Sequence, residues 1–336
     1  MKISLRMEAM LVSRIPKHAI LVTGTLTAVL PLLVMAYLLF FWPHDVSANQ
    51  KENGVIFGAT YMTMNNPYYQ VMDTQLRAEI ERNGDVLLTR DAAMNQTRQN
   101  EEIRELIDAG ARAIFLTPVE WESAEEGLRL ASQAGVPVIV VDAPVRNAEL
   151  AACSVLSDNY RAGALCAQHL RSVREGAKII LLEHITARSG SERIRGFTDA
   201  IRDDNRYVIV GSGESDGQIE NAMPVMEALL KEHPDADTVM ALNDPSAFGA
   251  MAAIQGAGLT ERFLVYSVDG SPEAKALIKD GLLTASCAQF PYKIAQEAVR
   301  QAYDALNGGC KEREVIIPVE LLTAENVDAY DITGWQ

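Results

Sequence analysis

The 336-residue sequence lacks the short motifs that mark many catalytic sites. It contains no P-loop, no HExxH and no GxSxG sequence. Of its five histidines, His169, His184 and His233 fall on predicted helices or turns without an evident nucleophile beside them. We interpret these three as surface or satisfied core residues. The sequence therefore predicts a protein that is not an enzyme, with no catalytic residue and no cofactor.

Cysteine is scarce, and its spacing does not fit the usual metal motifs. The four cysteines, at positions 153, 166, 287 and 310, form no CxxC pair and have no nearby histidine at zinc-ligand spacing. We therefore expect no metal site. Cys153, Cys166 and Cys287 stand in apolar contexts typical of buried free thiols, although an exported chain permits a disulfide.

Positive charge is in short supply. The chain has 30 lysines and arginines against 45 aspartates and glutamates, which gives a formal net charge of −15. Because residues 1–18 are basic on balance, the remainder of the chain is more acidic still. Such a charge argues against nucleic acid and anionic lipid surfaces as partners, and it leaves a neutral ligand open.

A long uncharged run stands near the N-terminus. Residues 19–42 contain no charged side chain, whereas a spanning helix needs about 20 apolar residues and a signal-peptide core about 7–15. The basic leader, residues 1–18, is expected to stay in the cytoplasm. We expect residues 19–42 to be a transmembrane anchor, or a long signal sequence cut after Ala48, and residues 43–52 to be a linker. The rest would be extracytoplasmic, in the periplasm or at the cell surface.

Short β-rich runs alternate with helix-period segments along the rest of the chain. Continuous apolar runs such as residues 138–141 indicate strands buried on both faces, as in a parallel sheet covered by helices. The pattern restarts after residues 157–159. We predict an α/β protein with two doubly wound parallel-sheet lobes joined by a multi-strand hinge, preceded by an N-terminal transmembrane helix. The predicted lobes are residues 53–157 with 290–318, and residues 158–289 with 319–336.

Polar side chains follow successive predicted strands in both halves of the chain. Asp142, Asn243, Asp269 and Gln289 each come directly after an apolar run, and Arg193 opens a helix after another. The carboxyl ends of parallel strands meet at one edge, where such groups would surround a small polyhydroxylated molecule. Each has an ordinary alternative, since residues after strands often cap helices or form turns, and Arg193 could form a surface ion pair.

An amide and two aromatic rings follow the first predicted strand. Residues 65–69 read Asn-Asn-Pro-Tyr-Tyr and lie between an apolar run and a predicted helix. Flat rings beside planar hydrogen-bonding groups suit a sugar, whose faces are apolar and whose edges carry hydroxyls. In the alternative interpretation, Pro67 only starts the helix and the tyrosines pack in the core.

These motifs, in their order and spacing, resemble the periplasmic sugar-binding proteins of the ribose-binding type. More distantly, they resemble the sugar-sensing half of lactose-repressor-like regulators. The resemblance extends from about residue 53 to about residue 322 and rests on residues 65–69, 138–142, 157–159, 192–193 with 196–197, 243–244, 268–270 and 288–289. It implies a set of ligand contacts: Asn66, Tyr68, Tyr69, Asp142, Arg193, Asn243, Asp269 and Gln289.

The chain departs from the ribose-binding pattern at several positions. Tyr68 and Tyr69 stand where ribose binders commonly carry phenylalanines, and Met62 occupies a small polar contact position. Ala143 stands where an arginine is common, and the region of Gly217 lacks a stacking phenylalanine. The resemblance thus implies a different pentose, a hexose or a polyol in place of ribose.

The resemblance also implies a function. We expect an extracytoplasmic binding protein for a monosaccharide or similar polyol, which closes on its ligand between two lobes and presents it to the permease of an ATP-binding-cassette importer. The expected anchor leaves a second role open, a membrane-tethered sugar sensor that signals through a histidine kinase or chemoreceptor. A DNA-binding regulator is disfavoured, because a membrane segment stands where a helix-turn-helix would be.

Overall fold

The computed structural model of the protein describes residues 54–336. In this range the chain forms two α/β lobes, each built on a six-stranded sheet. The expected leader, membrane segment and linker, residues 1–52, lie outside the described residues. From residue 54 onward, no helix combines the length and the apolar character that crossing a membrane requires.

The first sheet is wholly parallel. Its strands are β1 (Ile56–Tyr61), β2 (Val86–Asp91), β3 (Ala113–Leu116), β4 (Val138–Asp142), β5 (Cys153–Ser157) and β11 (Glu314–Ile317). They lie in the order β11-β5-β4-β3-β1-β2. Four helices pack on this sheet: α1 (Pro67–Arg82), α2 (Gln96–Asp108), α3 (Glu125–Gln133) and α9 (Pro291–Leu306). Every residue of β3, β4 and β5 is buried, as expected for the central strands of a parallel sheet covered by helices.

The second sheet repeats the plan with one exception. Its strands are β6 (Ala177–Glu183), β7 (Tyr207–Glu214), β8 (Thr238–Ala241), β9 (Leu264–Asp269), β10 (Ala285–Ala288) and β12 (Glu320–Thr323). They lie in the order β12-β10-β9-β8-β6-β7. Its helices are α4 (Asn159–Val173), α5 (Arg188–Ile201), α6 (Ile219–Glu232), α7 (Asp244–Gly256) and α8 (Pro272–Lys279). Hydrophobic cores cover both faces of each sheet.

The expectation of two parallel sheets is wrong for the edge strand β12, which runs antiparallel to β10. Strand β11 ends at the carboxyl edge of the first sheet, and only Pro318 and Val319 separate it from β12. The chain therefore enters the second sheet beside Ala288, at the carboxyl end of β10. As a result, β12 runs in the opposite direction to β10. The chain also passes between the lobes from β5 to α4 and from β10 to α9, so three connections join them.

Helices α4 and α5 touch backbone to backbone through two glycines. A Cβ atom on Gly163 would lie 1.7 Å from the carbonyl oxygen of Arg193, and one on Gly196 would lie 1.9 Å from that of Tyr160. No side chain fits in so short a gap. The two glycines therefore set the position of α5, and of Arg193 on it, relative to α4.

We predict that Gly163→Ala lowers the free energy of unfolding by about 2 kcal/mol or more, because the added methyl group must push two helix backbones apart. Gly256→Ala is the matched control, since a Cβ atom there meets nothing within 4 Å. The control should stay within about 1 kcal/mol of the wild type, on the stable side, because alanine favours helix. Urea denaturation of both variants tests this, and equal stability of the two would refute the close contact.

Candidate ligand-binding site

Three of the predicted contacts lie at the end of the loop after β1 and in the first turn of α1. The Asn66 side chain caps α1 by accepting from the backbone N–H of Tyr68, at 3.0 Å. Pro67 follows in the first turn, where its fixed φ suits a helix start. This geometry places Tyr68 and Tyr69 in the first turn, with both side chains nearly buried. Pro67 starts the helix and both tyrosines belong to the hydrophobic core, as the alternative interpretation expects, and their contact with a sugar stays a prediction.

Asp142, the last residue of β4, meets this aromatic pair. The hydroxyl of Tyr69 donates to Asp142 Oδ2 at 3.1 Å, and the Tyr68 and Tyr69 rings pack edge to face with centroids 5.5 Å apart. Asp142 has a φ of 71°, a left-handed conformation that non-glycine residues adopt at a cost. Burial raises the pKa of its carboxyl group, and the nearby charge of Arg193 opposes the rise.

Arg193 reaches the cleft from α5. Its Nε donates to Asn159 Oδ1 at 2.8 Å, and one terminal nitrogen donates to the carbonyl oxygen of Leu242 at 3.0 Å. The same nitrogen lies 3.6 Å from Asp269 Oδ1. Only 4% of Arg193 is exposed. The alternative of a surface ion pair is therefore wrong, because the guanidinium is held inside the second lobe.

Asn243 follows β8, and both polar atoms of its side-chain amide form hydrogen bonds within the second lobe. Its Oδ1 accepts from the backbone N–H of Ser246 and caps α7, while its Nδ2 donates to the carbonyl oxygen of Gly217, both at 3.0 Å. The expectation that such residues are helix caps is met here. The side chain nevertheless lines the cleft.

Asp269 ends β9 and is a second buried acid in the cleft. Gln289 Nε2 donates to its Oδ1 at 2.8 Å. Burial, and then the charge of Asp244, raise the pKa of Asp269 to about 8, while Arg193 opposes the rise. Its φ of 137° also lies in the region that favours glycine. A strained backbone conformation and a buried carboxyl group thus occur together at the carboxyl ends of β4 and β9.

All the predicted contacts converge on one cavity between the lobes. In this conformation its volume is ≈ 30 Å³. The predicted residues that line it are Asn66, Tyr68, Tyr69, Asp142, Arg193, Asn243, Asp269 and Gln289. We call this space the inter-lobe cavity. Met62 and Gly217, two positions that depart from the ribose-binding pattern, also line it.

Three polar atoms of the inter-lobe cavity are left without a hydrogen-bond partner among the described residues. They are the hydroxyl of Tyr68, Oδ1 of Asp142 and Oε1 of Gln289. The Tyr68 hydroxyl lies near Asp142 without completing a bond. A buried polar atom left unpaired costs about 1–3 kcal/mol, and proteins usually satisfy such atoms. These atoms offer one donor and several acceptors to a polyhydroxylated molecule.

The sequence analysis missed His184 as a member of the site. It lines the inter-lobe cavity and is only 4% exposed, so the interpretation as a residue without a site role is incomplete. Burial lowers the pKa of its imidazole and so favours the neutral form, and Asp216 opposes the shift. His184 directly follows β6, so the strand-end rule applied to that strand would have found it.

His184 also stands within 4.8 Å of carboxylate oxygens of Glu214 and Asp216, in a group that could hold a metal ion. The two oxygens of Glu214, however, accept from the backbone N–H groups of Ile185 and Asp216, at 3.1 and 3.2 Å. These bonds brace the loops after β6 and β7. The expectation of no metal site stays a prediction.

The two lobes touch across the mouth of the cleft. Asn65 Nδ2 donates to Gln218 Oε1 at 3.0 Å and to Glu220 Oε1 at 3.2 Å. On the other side, the guanidinium of Arg188 stacks over the ring of Trp121, 5.2 Å from its centroid. The conformation is therefore a closed one, in which the two lobes contact each other directly at the mouth of the inter-lobe cavity.

A model of the periplasmic binding protein domain matches residues 57–310. The chain belongs to this family. It is 31% identical over 281 residues to the ribose import binding protein of Bacillus subtilis, covering 82% of this chain and 89% of that protein. It is 29% identical over 278 residues to the ribose import binding protein of Escherichia coli, covering 82% and 92%. These relatives are binding proteins and not enzymes, so the resemblance inferred from the motifs is confirmed.

Solved structures of the family show the same fold. A solute binding protein of an ABC transporter from Mycobacterium smegmatis, with bound glycerol, superposes with a TM-score of 0.79 at 28% identity, covering 84% of this chain and all (100%) of that one. The arabinose-binding component from Shewanella sp. ANA-3, bound to L-arabinofuranose, gives 0.76 at 26% identity, covering 82% and 94%. Two lobes with mainly parallel sheets are thus the family architecture.

We predict that Asp269 makes the ligand-free protein less stable as the pH rises from about 4 to about 8. The folded carboxyl group, with a pKa of about 8, keeps a proton that the unfolded chain releases above its ordinary value of 3.8, so the free energy of unfolding falls across this window. Asp269→Asn removes the titration and should flatten this part of the pH profile, with a gain of at least about 1 kcal/mol at pH 8.

Thermal unfolding between pH 4 and pH 8 measures the effect. Asp203→Asn, which changes an exposed aspartate, is the control and should keep the wild-type profile. An Asp269→Asn profile as steep as that of the control would show that the folded carboxyl group is already ionised at pH 5.

Proposed function

We propose that this protein binds one neutral monosaccharide or polyol in the inter-lobe cavity and presents it to an ATP-binding-cassette importer. The observation that carries the proposal is the set of three buried, unpartnered polar atoms on Tyr68, Asp142 and Gln289. Each belongs to a residue that lines the cavity, beside Arg193, Asn243 and Asp269, which are held in place by bonds within the protein. A ligand rich in hydroxyl groups would satisfy all three at once.

A sugar ring suits the rest of the cavity. The edge-to-face pair of Tyr68 and Tyr69 offers an aromatic wall to the apolar face of a ring, and Arg193 offers N–H groups to its edge. No lysine accompanies Arg193 in the cavity lining, while Asp142 and Asp269 stand opposite it. This balance favours a neutral ligand over a sugar phosphate.

Ribose itself fits poorly with three positions in the lining or beside it. Met62 accepts a contact from the Tyr69 hydroxyl at 3.3 Å and brings an apolar side chain to the cavity. Ala143 is small and buried, and Gly217 carries no ring. We therefore favour a pentose other than ribose, a hexose or a cyclic polyol, and relatives of this fold bind arabinose and glycerol.

Ligand exchange would require the lobes to part. In this conformation the inter-lobe cavity has space for little more than a water molecule, so a sugar ring can enter and fit only when the lobes stand further apart. Bonds from the ligand to both lobes would then favour closure. The matched relatives are import proteins, which supports an importer as the partner. A tethered sensor would depend on residues 19–42, outside the described chain, and we do not propose it.

We predict that a thermal-shift panel of pentoses, hexoses, inositols and small polyols contains one ligand that clearly raises the melting temperature. Because that ligand binds the folded state alone, a concentration of 100 times its Kd adds about 2.7 kcal/mol to the free energy of unfolding. Glucose 6-phosphate and ribose 5-phosphate serve as anionic controls. A panel without any stabilising compound would refute the proposal.

We predict that Tyr68→Phe weakens binding of that ligand about fivefold, because it removes a hydroxyl that only the ligand can satisfy. The same change should leave the ligand-free protein as stable as before or slightly more stable. Tyr61→Phe is the matched control, since its hydroxyl is also buried and unpartnered but lies outside the inter-lobe cavity. Calorimetric titration separates the two, and equal Kd values for both variants would exclude Tyr68 as a contact.

A further inference from the structure

A second and larger cavity opens beside the inter-lobe cavity. It has a volume of ≈ 390 Å³ and shares Asn66, Gln218 and Asp269 with its neighbour, so the two cavities adjoin. We call it the side cavity. Its walls are mainly apolar and come from Pro67, Ile219, Pro245, Phe248 and Trp335.

Trp335 is held in this wall by the last residues of the chain. Gln336 Nε2 donates to the carbonyl oxygens of Asp269 and Gln289, at 3.1 and 2.5 Å. The ammonium group of Lys275, which is only 1% exposed, donates to Gln336 Oε1 at 3.1 Å. These bonds dock the segment on the carboxyl ends of β9 and β10. The Trp335 ring is therefore fixed in the structure.

The Trp335 ring also meets the sugar side of the cleft. It packs edge to face against Tyr68, with centroids 5.6 Å apart and planes inclined by 63°. Tyr68 lines the inter-lobe cavity and Trp335 lines the side cavity, so this ring pair joins the walls of the two cavities. A ligand that reached both would contact a continuous row of aromatic surface.

The charges around the side cavity limit what it could hold. Its charged lining residues are all acidic: Glu220, Asp244, Asp269 and Glu273. An anionic group such as a phosphate would be repelled there. Ile219 remains 48% exposed within this wall, an apolar surface that gains by being covered. The side cavity therefore suits an uncharged, apolar group.

The side cavity also depends on lobe closure. Pro67 belongs to the first lobe, whereas Ile219, Pro245 and Phe248 belong to the second. A group in this space would touch both lobes and would favour the closed state in the same way as the sugar.

We infer that the ligand is a neutral glycoside, whose sugar ring occupies the inter-lobe cavity and whose apolar aglycone, about the size of a benzene ring, fills the side cavity against Ile219, Phe248 and Trp335. The inference rests on the proposed function and narrows its substrate class. It differs from monosaccharide binding in one measurable respect, the contribution of the aglycone to affinity.

Calorimetric titration of the full chain, purified in a mild detergent, tests the inference. The probes are the free sugars D-ribose, D-allose and L-arabinose with their methyl and phenyl glycosides, in both anomeric forms. One phenyl glycoside should bind about tenfold more tightly than its methyl counterpart, because its ring leaves water for an apolar wall. Equal affinities of every methyl and phenyl pair would overturn the inference while leaving sugar binding intact.

Variants of the apolar wall locate the effect. Phe248→Ala and Ile219→Ala should each reduce the phenyl preference to about threefold or less, by removing apolar contact area, with the methyl glycoside unaffected. Met223→Ala is the matched control, because Met223 is an exposed apolar residue of the same helix as Ile219 that does not line the side cavity. A phenyl preference that survives both wall variants would place the aglycone elsewhere and overturn the inference.

Two further outcomes are distinct. A disaccharide that gains affinity where the phenyl glycoside does not would show a polar second subsite and contradict an apolar aglycone. Absence of binding by every free sugar and glycoside would refute the proposed function itself, and the inference with it.

Discussion

The buried guanidinium of Arg193 is the interaction on which the cleft depends. Among the described residues it is the only arginine or lysine that lines the inter-lobe cavity, and it faces the carboxyl groups of Asp142 and Asp269. Both acids have raised pKa values that its charge partly offsets. Its own position follows from the glycine contact between α4 and α5, at Gly163. Helix packing some distance from the cleft thus sets the charge balance inside it.

The groups in the cleft lower the stability of the ligand-free protein. Buried acids with raised pKa values, two left-handed backbone positions and three unpartnered polar atoms meet in one small cavity. Each of these features destabilises the folded chain when no ligand is present. A ligand that supplies the missing bonds would relieve much of this cost. The features that make the cleft able to bind a ligand therefore also lower the stability of the ligand-free protein.

Much of the site could be predicted from sequence because parallel strands bring their carboxyl ends together. Every residue named by that rule, from Asp142 to Gln289, lines the inter-lobe cavity, and so do Asn66 and the two tyrosines. Their roles as ligand contacts stay predictions. The fold was likewise readable from its alternating runs, apart from the direction of β12, which is set by a two-residue crossing.

The remainder depends on contacts between distant parts of the chain. Nothing in the local sequence around Trp335 indicates that Gln336 docks on the backbone of β9, 67 positions away in the chain. The internal bonds of Arg193 to Asn159 and Leu242 are equally non-local. The spacing of residues in a sequence indicates periodicity and strand ends. It does not indicate which side chains form hydrogen bonds with each other in the folded protein.

The edge strands β11 and β12 also bear on when the chain can fold. Neither lobe is continuous, since residues 314–317 complete the first sheet and residues 320–323 complete the second. Helix α9, which packs on the first lobe, is also made after most of the second lobe. Contacts of such long sequence separation form slowly. A ribosome-bound chain therefore lacks the last strand of both sheets until residues 314–323 have been added, so neither sheet can be completed before then.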